Sequence, residues 1–542
     1  MKLLFDFFAK RSSTSLPRLF WAASLSGLTS ALILYILNTG ASHAAQGAAL
    51  AQLLFMFVVA ELIFVFCQRY LLLTSLRETE KVLHLYRQQQ IERVRHCDLD
   101  VFERIGPARF FSAVTQQTKI LSSSIAMIVM ASQFVVVVLF ALLYLAWLSV
   151  PAVVLTLLIL GIGWAVYRSR MAVAHVKFAQ ASHEENAFFD SINDLVHGFK
   201  EIRLNAARSA DFAAFATAIS QRVVGFKGEI DGKLTDMFLF SHMIFFGLAA
   251  VMVFLLPGLG IVKSEELLKI VTVVLFLIGP IVNVLGSAAA VANAQAACTQ
   301  MLDLEQQLEA ATTTSRATAE QIHQFDEIGL RAAAFRHVQP EEGEGFQVGP
   351  LDLLLRRGEL LFISGGNGSG KSTLLRLLTA LYLPQEGELV LDGRTIGPDR
   401  REAYQGLFST VFSDFHLFER TFGLGDVSEA QAAQWLSVMG LADKTALRNR
   451  RFDTIKLSTG QRKRLALVVA LLEDRPIYVL DEFAADQDPE FRRKFYDEIL
   501  PAMRERGKTV VVVTHDERYF DRASRHLTME EGQIVQRGAA DG

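Results

Sequence analysis

Gly365-Gly-Asn-Gly-Ser-Gly-Lys-Ser372 is the stretch on which the reading of this chain turns. It fits the pattern Gly-x4-Gly-Lys-Ser/Thr, and its flanks are what that pattern needs. Before it runs Glu359-Leu-Leu-Phe-Ile-Ser364, whose continuous apolar character predicts a buried strand. After it the segment from Thr373 to Ala380 predicts a helix. Glycines let a backbone wind around a phosphate chain with its N–H groups turned inward, and the helix start adds a positive dipole end. Gly365, Gly366, Asn367, Gly368, Ser369, Gly370, Lys371, Ser372 and Thr373 are therefore the candidates for holding ATP. Lys371 would reach the β- and γ-phosphates, and the Ser372 hydroxyl would ligate Mg2+.

A second apolar run, Ile477-Tyr-Val-Leu-Asp-Glu482, predicts another buried strand, this one ending in two carboxylates. Asp481 suits the magnesium shell, and Glu482 is the candidate to polarise an attacking water. Adjacent acids mean little alone. About 110 residues after a phosphate loop they mean a nucleotide hydrolysis site, because phosphoryl transfer asks mainly for positioning and charge neutralisation.

Further out, composition separates the chain into halves. Of 542 residues 51% are apolar and 40 are Phe, but the long apolar runs fall in about the first 300. The last 215 or so read as a soluble α/β domain. A net charge of −3 gives no case for nucleic acid as a partner. The cysteines Cys67, Cys97 and Cys298 are too scattered for a disulfide framework or a zinc site.

A membrane span needs about 20 mostly apolar residues. Six stretches qualify, at about 19–38, 49–73, 123–148, 151–167, 234–256 and 267–291. Lys2, Lys10, Arg11 and Arg18 before the first of them resemble the start of a secretory signal, but the apolar run is too long and is read as a retained span. The third and fourth spans form a tight hairpin. The second-to-third and fourth-to-fifth connections are polar, helix-like in period, and rich in Lys and Arg, among them Arg77, Arg93, Arg104, Arg168, Lys200 and Arg222. On the other side Lys263 is the exception in nearly uncharged loops. The positive-inside rule puts the N-terminus, both long connections and the C-terminal domain in the cytoplasm. Each connection reads as two helices extending far from the membrane, joined by a transverse segment, near 98–110 and 192–205. Glu61, inside the second span, should face a cavity or a partner, for which His242 is a candidate. Asn283 and Asn293 are weaker cavity-lining candidates. The expected domains are 1–304 for the membrane part, 305–327 for a linker and 328–542 for the nucleotide-binding part.

Between the phosphate loop and the twin acids lies Leu457-Ser-Thr-Gly-Gln461, and Thr514-His515 follows the apolar run 509–513. The first resembles the Leu-Ser-Gly-Gly-Gln signature of ATP-binding-cassette (ABC) ATPases, the second their switch histidine, and Asp488 falls where their D-loop aspartate belongs. With six spans ahead of the cassette, the whole chain resembles a half-size ABC exporter. That resemblance implies six transmembrane helices of the type I exporter kind fused to a P-loop α/β nucleotide-binding domain, and an ATP hydrolase coupled to transport. It also implies a homodimer in which Ser458, Gly460 and Gln461 contact the nucleotide held by the partner. Lys371, Ser372, Asp481, Glu482 and His515 would hold their own. Two positions depart from the family pattern. His337 stands where an adenine-stacking tyrosine is usual, and Ser413, followed by Asp414, stands where a metal-linked glutamine is usual. Only about 40 residues separate that point from the signature, which predicts a shortened helical subdomain. Phe412-Ser-Asp-Phe-His-Leu-Phe418 and the stretch from Asp481 to Tyr496 look like the bacterial exporters of cyclic peptides and siderophores. That group is similar to the inner-membrane exporters of microcin-type lasso peptides, lipopeptide toxins and pyoverdine precursors. The cargo expected on that resemblance is a peptide or peptidic siderophore, the alternative a lipid or hydrophobic drug.

Overall fold

The computed structural model describes residues 2–11, 16–44, 50–255, 264–311, 322, 324–337, 345–425 and 427–535. Lys263 and, within the expected linker, residues 312–321 and 323 lie outside the described residues. The chain forms two compact units, Met1–Ile91 with Ala108–Gln306, and Glu92–Pro107 with Gln307–Gly542.

The first unit is helical. Its elements are α1 (Lys2–Ala9), α2 (Leu16–Ala44), α3 (Ala51–Arg95), α6 (Thr118–Leu148), α7 (Val150–His197), α8 (Phe199–Leu204), α9 (Ala206–Ala250) and α10 (Ser264–Ala311). Between α3 and α6 the chain makes α4 (Leu99–Ile105), α5 (Pro107–Phe111) and a π-helical turn, Ser112–Gln117. Among the described residues, six helices are long and apolar enough to cross a membrane: Trp21–His43, Ala51–Arg95, Pro107–Leu148, Val150–Ser169, Ala206–Leu255 and Glu266–Ala311. They coincide with the six expected spans. Phe55, Leu62, Phe66, Trp147 and Phe254 stand exposed on them, as residues facing hydrocarbon do. Inside, Leu145, Phe245, Leu248, Val273 and Leu277 pack into one cluster. The hairpin turns at Ser149, whose extended backbone ends α6 and whose hydroxyl accepts from the Ala152 N–H that opens α7.

Beyond the membrane-length segments the helices run on, as the polar connections predict. Ion pairs join α7 to α9 along their extensions: Lys177–Glu229, Glu184–Arg222 and Glu185–Lys227, each at 2.9 Å. From Lys177–Glu229 to Glu184–Arg222 the partners run in opposite directions along the two helices. Such exposed pairs contribute about 0.2–1 kcal/mol each, so they fix register more than stability. Where the sequence places transverse segments the chain forms only the short helices α4 and α8, because α7 continues to His197 and Gly106 breaks the first segment in two. The last helix is longer than expected. Residues 305–311, placed in the linker by the sequence, are its final turns. Glu305 there accepts two bonds from Arg11, at 2.6 and 2.8 Å, while Leu4 and Phe7 of α1 bury against Tyr86 and Met301. Glu61 and His242 do not meet. The His242 Nδ1 pairs with the Phe238 carbonyl at 3.1 Å, one turn earlier on its own helix, and its ring packs on Phe238.

The second unit holds β1 (Glu327–Arg336), β2 (Gln347–Arg356), β3 (Leu360–Gly365), α11 (Lys371–Leu378), β4 (Glu386–Leu391), β5 (Arg394–Thr395), α12 (Arg401–Gln405), β6 (Phe408–Val411) and α13 (Glu429–Val438). There follow β7 (Leu447–Arg448), β8 (Arg451–Phe452), α14 (Thr459–Glu473), β9 (Ile477–Asp481), α15 (Pro489–Lys494), α16 (Leu500–Glu505), β10 (Thr509–Val513), β11 (Arg525–Glu530) and β12 (Gln533–Val535). One sheet is antiparallel, in the order β2-β1-β4-β5. The other, β12-β11-β3-β10-β9-β6, is parallel except for its edge strand β12. Its central strands β3, β9 and β10 read as nearly unbroken apolar runs because both faces are covered. Phe362, Leu480 and Val512 point into one core, and Ile363, Val479 and Val511 into the other. The helical subdomain is short: α13 is the one helix between β6 and the signature among the described residues.

Candidate functional site

Ligand sites in open parallel sheets lie beyond the carboxyl ends of the strands. Here the ends of β3, β6, β9 and β10 deliver Gly365, Ser413, Asp481 with Glu482, and His515. The loop after β3 needs its glycines at defined places. Gly365, Gly368 and Gly370 take positive φ angles of 145°, 78° and 97°. A Cβ on Gly365 would lie 2.3 Å from the Met529 carbonyl oxygen on the adjacent strand, whereas one on Gly366 would meet nothing within 4 Å. Gly366, Asn367 and Gly368 are exposed, while Ser369, Lys371 and Thr373 are buried.

Lys371 folds back over the loop, its Nζ donating to the carbonyls of Gly365 and Gly366 at 2.9 and 2.8 Å. Burial pushes its ammonium pKa down, and the carboxylates of Glu482 and Asp481 oppose that shift. The Ser372 hydroxyl lies 3.4 Å from Asp481, which is almost wholly buried. Burial raises the Asp481 pKa, while hydrogen bonds from the Ser413 side chain and backbone hold it down. Ser413 therefore joins the same cluster as Asp481 and Ser372. Its neighbour Asp414, the other candidate for the glutamine's place, instead lies 3.4 Å from Arg376.

Glu482 has a left-handed backbone, φ 49°, which turns its side chain off the end of β9. Its carboxylate is 3.5 Å from His515 Nε2, and its carbonyl accepts from Lys463, a buried lysine that also pairs with Asp486. His337 lies beside α11, with its Nε2 3.0 Å from Thr373 Oγ1 and its ring edge-on to Phe335 and Tyr382. Burial, with the Arg376 guanidinium second, holds its pKa below the ordinary histidine value. The backbone N–H of His337 donates to the carbonyl of Phe346, whose ring is exposed. Phe346 is a second aromatic at this edge that the sequence pattern does not single out.

Ser458 begins α14 with a capping box: its Oγ accepts from the Gln461 N–H, and the Gln461 side chain accepts from the Ser458 N–H. Gly460 is required because a Cβ there would lie 2.5 Å from the Asp486 carbonyl oxygen. No hydrogen bond joins Ser458, Gly460 or Gln461 to residues 365–372, so the signature stands as an exposed helix start apart from its own chain's loop. Asp488, expected near nucleotide, has its carboxylate otherwise engaged. One oxygen accepts from Phe491 N–H to cap α15 and the other pairs with Arg464. Those contacts, the backbone N–H first, hold its pKa low.

A phosphate loop, twin acids at a strand end, a signature helix and a switch histidine, on two sheets sharing one unit, define the ATPase cassette of an ABC protein. Residues 348–485 match the ABC transporter family. The chain is 39% identical over 423 residues to ATP-binding protein SyrD of Pseudomonas syringae pv. syringae, covering 74% of this chain and 73% of that one. The chain belongs to the ABC transporter family, as an ATP-hydrolysing member with its membrane helices and cassette in one polypeptide. It is also 25% identical to the ATP-dependent lipid A-core flippase of Burkholderia orbicola (strain AU 1054), over 85% of this chain and 79% of that one. Its fold superposes on a solved bacterial Atm1-family ABC exporter with ATP bound, with a TM-score of 0.77, 17% identity, and 97% and 95% of the two chains covered. The fold is thus that of a half-size ABC exporter.

Proposed function

We propose that two copies of this chain, in a bacterial inner membrane, use ATP hydrolysis to export a peptide or peptidic siderophore from the cytoplasm. The cassette occupies only about the last 215 residues. A match to SyrD across 74% of the chain must therefore run well into the membrane helices, where cargo is met. The supporting observation within the helical unit is a cavity of about 500 Å3 whose lining mixes Gln116, Gln117, Asn293 and Gln300 with apolar residues such as Ile120 and Ile230. Side-chain amides that both donate and accept suit the N–H and C=O groups of a peptide.

Each chain supplies half of each ATP site. The loop amides and Lys371 bind the phosphates, with Lys371 exchanging its two loop carbonyls for β- and γ-oxygens. Ser372 and Asp481, with Ser413 supporting Asp481, offer the hard oxygen donors that suit Mg2+. Bound there, the ion would neutralise charge on the triphosphate. Glu482 accepts a hydrogen bond from the attacking water and His515, 3.5 Å away, steadies the γ-phosphate side. Ser458, Gly460 and Gln461 close over the nucleotide of the other subunit. The His337 edge, with exposed Phe346 opposite, receives the base.

A second reading, export of a lipid or hydrophobic drug, has its own support in a cavity of about 290 Å3 lined by Trp164, Phe240, Phe245 and Leu285 among other apolar residues. ATPase rates of the protein in nanodiscs, measured against peptides, siderophore precursors and lipids, separate the two. Stimulation by peptides that Glu482→Gln abolishes is expected, and stimulation by lipids alone would sink the peptide reading.

A further inference from the structure

The helix α4, Leu99–Ile105, lies within the cassette unit, and its two ends are held by different cassette residues. At its start Asp98 pairs with Arg401, whose guanidinium also binds the carbonyls of Ala380 and Leu381. Further along, Glu103 accepts from the hydroxyl of Tyr382 at 2.5 Å and lies 3.4 Å from Arg376. Tyr382 is buried and its ring stacks on Phe335 at 4.5 Å. Arg376 lies near the end of the helix that begins at the phosphate loop, Tyr382 follows that helix, and Arg401 ties its contact back to the carbonyls of the same turn.

Arg376 reaches three ways. It donates to Tyr382 Oη at 2.7 Å, faces Glu103, and lies 3.4 Å from Asp414. Asp414 follows Ser413 just past the end of β6, which pairs with β9 and so lies beside the strand end that carries Asp481. On the other side Tyr382 meets the edge of His337, which holds Thr373. Both flanks of the ATP site therefore converge on the Arg376–Tyr382 pair. A helix of eight residues is about 12 Å long and moves as one piece.

We propose that Arg376 is a positioning residue that, with Tyr382 and Glu103, ties the state of the ATP site to the placement of α4. The inference rests on the ATP-driven transport reading, since α4 joins α3 to the helices that follow it. Arg376 touches no nucleotide group placed above.

The test uses the full chain in nanodiscs, with Cys67→Ser, Cys97→Ser and Cys298→Ser, and a spin label at Val150→Cys, an exposed residue opening α7. Distances between labels on the two subunits are read with and without MgATP and vanadate. The parent protein should show a shift. Arg376→Gln, Tyr382→Phe and Glu103→Gln should each lose most of it, while fluorescent-ATP affinity and basal hydrolysis stay within about two-fold. Arg376→Lys, which keeps the charge, should regain part of the shift. A full shift in all three variants overturns the proposal. So does a fall in ATP affinity parallel to the lost shift, which would place Arg376 in the site itself. No shift in the parent would instead defeat the transport reading.

Discussion

At the scale of single residues, backbone constraint separates positions that a sequence pattern treats alike. Gly365 and Gly366 are both glycines of one loop, yet only the first has positive φ and a carbonyl oxygen where a Cβ would go. Gly365→Ala should lower ATP affinity at least about ten-fold and cost more than about 1 kcal/mol of stability. Gly366→Ala should leave fluorescent-ATP binding and the melting temperature near those of the parent; equal losses in both would refute the distinction. His337 carries a pH effect of definite sign. Burial first, then Arg376, holds its pKa below the ordinary value, and burial does the same for His526. The unfolded chain then binds more protons, so stability is complete above about pH 6.5 and falls as pH drops toward the folded pKa values. His337→Phe should flatten that acid limb in thermal melts between about pH 7 and 5.5, and an unchanged slope would exclude it as a contributor. The motif pattern reaches Lys371, Ser372, Asp481 and Glu482 because their spacing along the chain carries the chemistry. It misses Glu103 with Arg376 and Tyr382, since nothing local marks side chains whose partner is hundreds of residues away, and it misses Phe346, which belongs to no motif.

At the scale of elements, hydrophobic period was enough for the spans and the buried strands, but helix ends depended on contacts it does not encode. Residues 305–311 are polar and read as a linker. They stay helical where Glu305 turns inward to Arg11, with side-chain exposures of 11% and 9%. Removing one partner of such a buried pair costs about 3–5 kcal/mol. Arg11→Met alone or Glu305→Leu alone should therefore lower the melting temperature of the protein in lipid more than the double replacement does. A double variant less stable than either single one would contradict this. Glu61 and His242 show the same limit in reverse: hydropathy places both inside spans, but only the packing shows that they do not meet.

For the whole molecule, the proposed sharing of each ATP site, in which Ser458–Gln461 closes on the partner's nucleotide, is tested by mixed dimers. Pair one chain carrying Lys371→Ala with another carrying Ser458→Arg: both lesions fall on one site and the second site is intact. Put both changes on one chain and pair it with an unaltered one, and each site has a lesion. The first mixture should hydrolyse ATP clearly faster than the second in tagged, purified dimers; equal rates would remove the shared-site reading. The strand order has a consequence for how the protein is made. The central strand β3 is flanked by β10 and β11, which follow it by about 150 and 160 residues. During synthesis the membrane helices and β3 leave the ribosome long before either neighbour exists. The nascent cassette must hold Leu361, Phe362 and Ile363 unpaired until residues 509–530 emerge, a long-range closure that is slow and exposes it to aggregation. The burden on chaperones is therefore greatest near the end of translation, when the membrane part is already threaded through the bilayer.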